Sequence, residues 1–71
     1  MPLFQKTLVR ASETRSFRID HIVSTGWRTC EMANDRVARQ QQRTEWHRVE
    51  RDLARFVREI EALRTQGWRD A

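Results

Sequence analysis

Residues 44–67, TEWHRVERDLARFVREIEALRTQG, carry the pattern that decides the fold. The strong apolar residues of this stretch recur every three or four positions, which is the period of one helical face: Trp46, Val49, Leu53, Phe56, Ile60 and Leu63. Thr44 is a favoured N-cap residue, and Gly67 can adopt the left-handed conformation that ends a helix. Trp68 follows where a Schellman cap places an apolar residue against the end of the apolar stripe. The stretch therefore predicts one amphipathic helix from Glu45 to Gln66.

Composition limits the protein to one small domain. The chain has 71 residues, of which 38% are hydrophobic and 34% are charged. A core built from so few apolar residues is thin, and a second core is excluded. Cys30 is the only cysteine, so no internal disulfide can form. No apolar run is long enough to span a membrane, and the sequence is that of a cytoplasmic protein.

The charge is uneven along the chain. The formal net charge is +4, and thirteen of the fourteen basic residues are arginine. Residues 1–43 hold eight basic and four acidic side chains, whereas residues 44–71 hold six of each. The positive excess therefore belongs to the part that precedes the helix. Such a field attracts nucleic acid, or alternatively an acidic protein surface.

Alternating apolar and polar residues predict strands before the helix. Residues 4–9 alternate loosely, so residues 1–15 are expected to form either a flexible arm or an edge strand. The period of two is clearer from residue 16 onwards, which is typical of a half-buried strand whose apolar side carries Phe17, Ile19, His21 and Val23. Gly26 marks the turn that follows.

Two further strands are predicted around a turn at Asn34 and Asp35. If the loop holds residues 34–36, the expected cross-strand neighbours are Ala33 with Val37, Glu31 with Arg39, Thr29 with Gln41 and Trp27 with Arg43. This register offers one ion pair and one cation–π contact.

These patterns together predict an α+β domain. A two- or three-stranded antiparallel sheet from residues 16–43 packs on the helix of residues 44–67, with residues 1–15 as the arm or edge strand. The alternative is a mainly helical chain, a helical hairpin or dimer, because residues 39–43 are good helix formers that could continue a long helix back to about Arg36.

The basic residues near the predicted sheet suggest a nucleic-acid surface. Arginine binds phosphate through two parallel hydrogen bonds, and tryptophan stacks on bases. We therefore expect a small, non-enzymatic, regulatory DNA-binding module that contacts mainly the backbone of duplex DNA. Its candidate residues are Arg28, Arg36, Arg39, Arg43, Arg48, Arg51 and Trp27. On the helix, Arg48 and Arg51 belong to a row that continues through Arg55 and Arg58.

The apolar stripe supports an alternative function, a protein-binding adaptor or inhibitor that forms a homodimer. A thin sheet leaves part of the helix uncovered, and the residues expected at such an interface are Trp46, Leu53, Phe56 and Val57.

The sequence does not predict a catalytic or metal site. His47 and Glu50 stand three residues apart, but neither Cys30 nor His21 is spaced so as to complete a metal site with them. We therefore predict no metal, cofactor or catalytic residue.

A short sheet followed by a long helix that ends in Gly-aromatic resembles the WGR domain associated with DNA-repair enzymes. Trp27-Arg28 and Gly67-Trp68 carry the resemblance, but the Trp-Gly-Arg-x-Gly core of that family is absent from this sequence. No functional residue is transferred from it.

Overall fold

The computed structural model describes residues 2–71 and shows an α+β fold. The elements, in chain order, are β1 (Phe4–Arg10), β2 (Glu13–Ile22), β3 (Gly26–Ala33), β4 (Arg36–Arg43), α1 (Trp46–Thr65) and β5 (Arg69–Asp70). The predicted class, an antiparallel sheet with one long C-terminal helix, is confirmed. The mainly helical alternative is wrong, because residues 36–43 form a strand and not the start of a helix.

The sheet has more strands than the sequence predicts. It contains five, in the order β4-β3-β2-β1-β5, and not two or three. Residues 4–10 pair with β2 along their whole length, from Phe4 opposite Ile19 to Arg10 opposite Glu13. They therefore form a regular strand, and β2 begins at Glu13. Met1, part of the predicted arm, lies outside the described residues.

Tight turns connect the four long strands. Asn34 and Asp35 both have positive φ, 51° and 64°, as the two central residues of a type I′ hairpin turn require. The Oδ1 of Asn34 accepts the backbone N–H of Thr14 at 2.9 Å, which ties this turn to the start of β2. At the other end of β3, Gly26 has φ 108°.

The predicted register between β3 and β4 is confirmed at three pairs: Trp27 with Arg43, Thr29 with Gln41, and Glu31 with Arg39. The fourth is wrong, because Ala33 lies opposite Arg36 and Met32 opposite Val37. The loop holds two residues and not three, and the register shifts by one residue between Glu31 and Met32.

The core lies between α1 and one face of the sheet. It contains Leu8, Phe17 and Ile19 from β1 and β2, four residues of α1 and Trp68. The rings of Phe17 and Phe56 are 5.2 Å apart at their centroids. In the helix stripe Val49, Phe56, Ile60 and Leu63 are buried and Leu53 is half-buried, but Trp46 at its start keeps 49% of its surface exposed. Val23, predicted on the apolar side of β2, lies beyond the strand and is 80% exposed.

The two ends of α1 differ in how they are capped. Glu45, and not Thr44, is the N-cap residue, and no side chain caps the first turn. The C-terminal prediction is confirmed: the N–H of Trp68 donates to the carbonyl of Leu63, and that of Gly67 to Arg64, as in a Schellman motif. Trp68 is buried, and the chain then runs into β5 beside β1.

The helix covers β1, β2 and β3 but leaves β4 largely uncovered. Thr29 and Glu31 of β3 are buried, whereas six of the eight residues of β4 are exposed. The uncovered strand and the adjacent side of α1 form the site described below. In the part of the chain that the structure describes, no helix is long and apolar enough to cross a bilayer.

Candidate nucleic-acid interface

An open groove of about 540 Å³ separates the side of α1 from β4. Its lining residues come from the sheet and the helix: Arg15, Glu31, Ala38, Arg39, Arg55, Glu59, Ala62 and Leu63. The groove exists because β4 extends past the edge of the helix. Three arginines and two glutamates therefore face each other in a partly solvated space.

The floor of the groove is an ion-pair cluster. Arg55 donates to Glu31 at 3.0 Å and to Glu59 at 3.3 Å, and Arg15 lies 3.9 Å from Glu59. Burial lowers the pKa of the Arg55 guanidinium, but the hydrogen bonds and negative charges of Glu31 and Glu59 together raise it above its ordinary value. Glu31 was expected to pair with its cross-strand neighbour Arg39. It binds Arg55 instead, and no carboxylate of the described residues lies within 4.0 Å of Arg39.

Most charges in the protein are neutralised in this way. Within residues 2–71, eight of the fourteen basic side chains have a carboxylate oxygen within 4.0 Å. The six that do not are Arg28, Arg36, Arg39, Arg51, Arg58 and Arg69. The net charge of the protein therefore resides on a few identifiable side chains.

Four of these six arginines lie on β4 and the adjacent side of α1. Arg36 and Arg39 belong to β4, opposite Ala33 and Glu31 on the sheet face that carries α1, and Arg39 lines the groove. Arg51 precedes Arg55 by four residues and Arg58 follows it by three, so both are neighbours of Arg55 on the surface of α1. We call these four residues, Arg36, Arg39, Arg51 and Arg58, the β4 arginine surface.

The other two arginines lie elsewhere. Arg28 stands between Trp27 and Thr29 on β3 and therefore lies on the sheet face away from α1, so, contrary to the sequence prediction, it does not contribute to this surface. Arg69 lies in β5 at the opposite edge of the sheet.

Two predicted phosphate ligands have partners inside the protein. The guanidinium of Arg43 binds Asp52 of α1 and also donates to Gln41. Arg48 donates to Glu45 at 3.2 Å on the exposed first turn of the helix. Neither contributes to the β4 arginine surface. Arg58, which belongs to the helix row but not to the expected phosphate ligands, does contribute.

Trp27 lies on the helix-facing side of β3, where it packs against the core. Its ring centroid is 5.6 Å from that of His21 and 5.4 Å from that of Trp46. The expected cation–π neighbour, Arg43, is turned towards Asp52 instead.

The predicted protein-interface residues do not form one exposed surface. Phe56 is 1% exposed and lies in the core, and Leu53 is half-buried against it. Trp46 and Val57 are exposed, at 49% and 45%. The sheet therefore covers the middle of the stripe and leaves only its start.

The residues weighed for metal binding are not brought together. No group of three or more His, Cys, Asp or Glu side chains within residues 2–71 is arranged to hold a metal ion. Cys30 lies on the sheet face away from α1, because its neighbours Thr29 and Glu31 are buried under the helix. His21 lies at the same two-residue spacing as Phe17 and Ile19 and is therefore on the helix-facing side of the sheet, opposite to Cys30.

We compared the chain with models of known protein families, with curated proteins and with solved structures, and none of them matches it.

Proposed function

We propose that this protein is a small, non-enzymatic DNA-binding module that holds the phosphate backbone with the β4 arginine surface. The observation that carries the proposal is the position of four arginines on one uncovered strand and the adjacent side of α1, none of them within 4.0 Å of a carboxylate oxygen of residues 2–71.

The spacing of these arginines suits a polynucleotide. Arg36 and Arg39 lie opposite Ala33 and Glu31, which are two residues apart on β3, because the bulge in β4 takes up one residue. Their separation along the strand is therefore about 7 Å at 3.3 Å per residue. Arg51 and Arg58 are seven residues apart on a helix, about 10 Å at 1.5 Å per residue. Phosphates follow one DNA strand at intervals of about 3.4 Å along the helix axis. The β4 pair therefore spans about two nucleotides and the α1 pair about three.

The surrounding structure favours arginine–phosphate contacts over contacts with a protein. Arg39 and the helix arginines stand beside a groove whose own glutamates are already bound by Arg15 and Arg55. An incoming phosphate therefore meets guanidinium groups without displacing an internal carboxylate. Bidentate guanidinium–phosphate bonds are strong and depend little on base sequence, so we expect binding to be weakly sequence-specific.

Single substitutions test the location of the surface. Arg39→Gln removes one charge from β4 and Arg58→Gln removes one from α1, whereas Arg69→Gln removes the same charge from the far edge of the sheet. Fluorescence anisotropy with a short labelled duplex at low salt is expected to show a loss of about fivefold in affinity for each of the first two, the scale of one exposed charged hydrogen bond. Arg69→Gln is expected to bind like the wild type. Equal effects of all three variants would mean that only net charge matters, and no binding by the wild type would refute the proposal.

A further inference from the structure

Three aromatic side chains meet at the end of the sheet where β4 meets the helix. Trp27 lies between His21 on β2 and Arg43 on β4 in the strand register. Trp46, the first residue of α1, packs its ring against Trp27 with a centroid distance of 5.4 Å. The cluster closes this end of the core.

Only about half of the surface of Trp46 is buried in the fold. Trp68 is 7% exposed and buried in the core, but Trp46 leaves 49% of its surface in solvent. Tryptophan combines a large apolar area with little rotamer freedom, and an exposed ring of this kind is typical of contact surfaces. The ion pair between Arg43 and Asp52 lies beside Trp27 in the strand register and joins the end of β4 to α1.

The exposed ring lies near the C-terminal end of β4. Trp27, on which Trp46 rests, is the direct cross-strand neighbour of Arg43, the last residue of β4. Arg39 lies four residues earlier on the same strand, about 13 Å away at 3.3 Å per residue. A nucleic-acid strand bound along β4 therefore passes within a few nucleotides of the ring.

We propose that Trp46 stacks on an unpaired base of the DNA strand that the β4 arginine surface holds. The inference rests on the proposed function and adds the substrate class: DNA with a single-stranded segment, such as a duplex end with an overhang. In a blunt duplex the bases are paired, and only the two terminal pairs expose a face, whereas each unpaired base of a single-stranded segment can present its π-face to the ring. Stacking of this kind does not depend on the identity of the base.

The test compares three probes of the same length: a blunt duplex, a duplex with a short single-stranded overhang, and a single strand. We expect the wild type to bind the two probes that contain unpaired bases about tenfold more tightly than the blunt duplex, the scale of one base–aromatic stack. Trp46→Ala is expected to remove this preference but to retain the affinity for the blunt duplex. Trp46→Phe is expected to retain much of the preference. Val57→Ala, which truncates another exposed apolar residue of α1, is the matched control and is expected to behave like the wild type.

The outcomes separate the two proposals. If the wild type binds no probe, the proposed function fails. If it binds all three probes equally, or binds the blunt duplex best, the stacking inference alone is overturned. The wild-type comparison needs no substitution, so it decides the question even if Trp46→Ala lowers the stability of the fold. A preference that persists in a folded Trp46→Ala protein would also overturn the assignment to this residue.

Discussion

Arg43 and Asp52 form a two-pronged ion pair between the last residue of β4 and the second turn of α1. The Nε of Arg43 donates to Oδ2 of Asp52 at 2.9 Å, and its Nη2 donates to Oδ1 at 3.2 Å. The Asp52 side chain is only 7% exposed and that of Arg43 is 23% exposed. The pair joins the uncovered strand to the helix, and it occupies an arginine that would otherwise point to solvent beside the basic surface.

Loss of the Asp52 carboxylate is expected to destabilise the fold, because Arg43 would keep a partly buried charge without a partner. For Asp52→Ala we expect the free energy of unfolding to fall by about 2 kcal/mol, less than for a fully buried pair because Arg43 reaches solvent. Glu50→Ala removes an exposed carboxylate two residues away and is expected to change stability by less than about 0.5 kcal/mol. Urea unfolding followed by tryptophan fluorescence measures both. Equal midpoints for the two variants would contradict the structural role of the pair.

Phe56 belongs to the core and not to a protein interface. Its ring packs against Phe17 and is 1% exposed. Phe56→Ala is therefore expected to cost about 3 to 4 kcal/mol of unfolding free energy through the lost contacts and the cavity that remains. The adjacent substitution Val57→Ala, at a residue that is 45% exposed, is expected to cost well under half of that. A fully stable Phe56→Ala protein would mean that the helix does not pack on this sheet.

The two glycines respond differently to a methyl group. A Cβ on Gly26 would lie 2.2 Å from the backbone oxygen of Arg43, and the residue has φ 108°. Gly26→Ala must therefore separate the ends of β3 and β4, at a cost of at least about 2 kcal/mol. Gly67 also has positive φ, but a Cβ there would meet only the flexible side chain of Arg10, at 3.9 Å within residues 2–71, so Gly67→Ala is expected to cost about 1 kcal/mol. Thermal unfolding should rank Gly26→Ala as the less stable variant, and the reverse order would contradict the close approach.

The Asp70 carboxyl is expected to make the free energy of unfolding depend on pH in the acidic range. Hydrogen bonds from Lys6 and Arg64 lower the pKa of this carboxyl below its ordinary value near 3.8. The unfolded chain therefore takes up this proton more readily than the folded one. The contribution of Asp70 is present above about pH 3.8 and is lost as the pH falls through the lower pKa of the folded protein. Asp70→Asn is expected to flatten this part of the stability curve, measured by urea midpoints across the acidic range. An unchanged curve would show that the Lys6 and Arg64 contacts do not persist in solution.

The sequence predicts the elements that have a long periodic signal. The helix has six apolar residues in register, and the Asn34-Asp35 step marks a turn, so both are predicted close to their observed positions, although the predicted loop was one residue too long. β5 has only two residues and no period, and its pairing with β1 follows from the Schellman turn that redirects the chain after Gly67. No local pattern contains that information, so the number of strands was predicted too low.

The basic surface is predicted only in part, because the sequence does not show which arginines are neutralised. Arg36, Arg39 and Arg51 keep their charge free of acidic partners, but Arg43 and Arg48 do not. One signal was available: Asp52 lies three residues after Val49 and four before Phe56, within the buried stripe. A carboxylate on a buried face requires a basic partner, and the end of β4 supplies it. The partner of Glu31 has no such signal, since its cross-strand neighbour Arg39 is equally basic.

The salt dependence of DNA binding tests the central claim most directly. If the four residues of the β4 arginine surface each neutralise one phosphate, a log–log plot of the association constant against salt concentration has a slope of about −3.6. The double variant Arg39→Gln/Arg58→Gln is then expected to show a slope of about −1.8, because each lost phosphate contact removes about 0.9. Arg69→Gln is expected to keep the wild-type slope. A wild-type slope near zero, or a double variant with an unchanged slope, would contradict the assignment of phosphate binding to this surface.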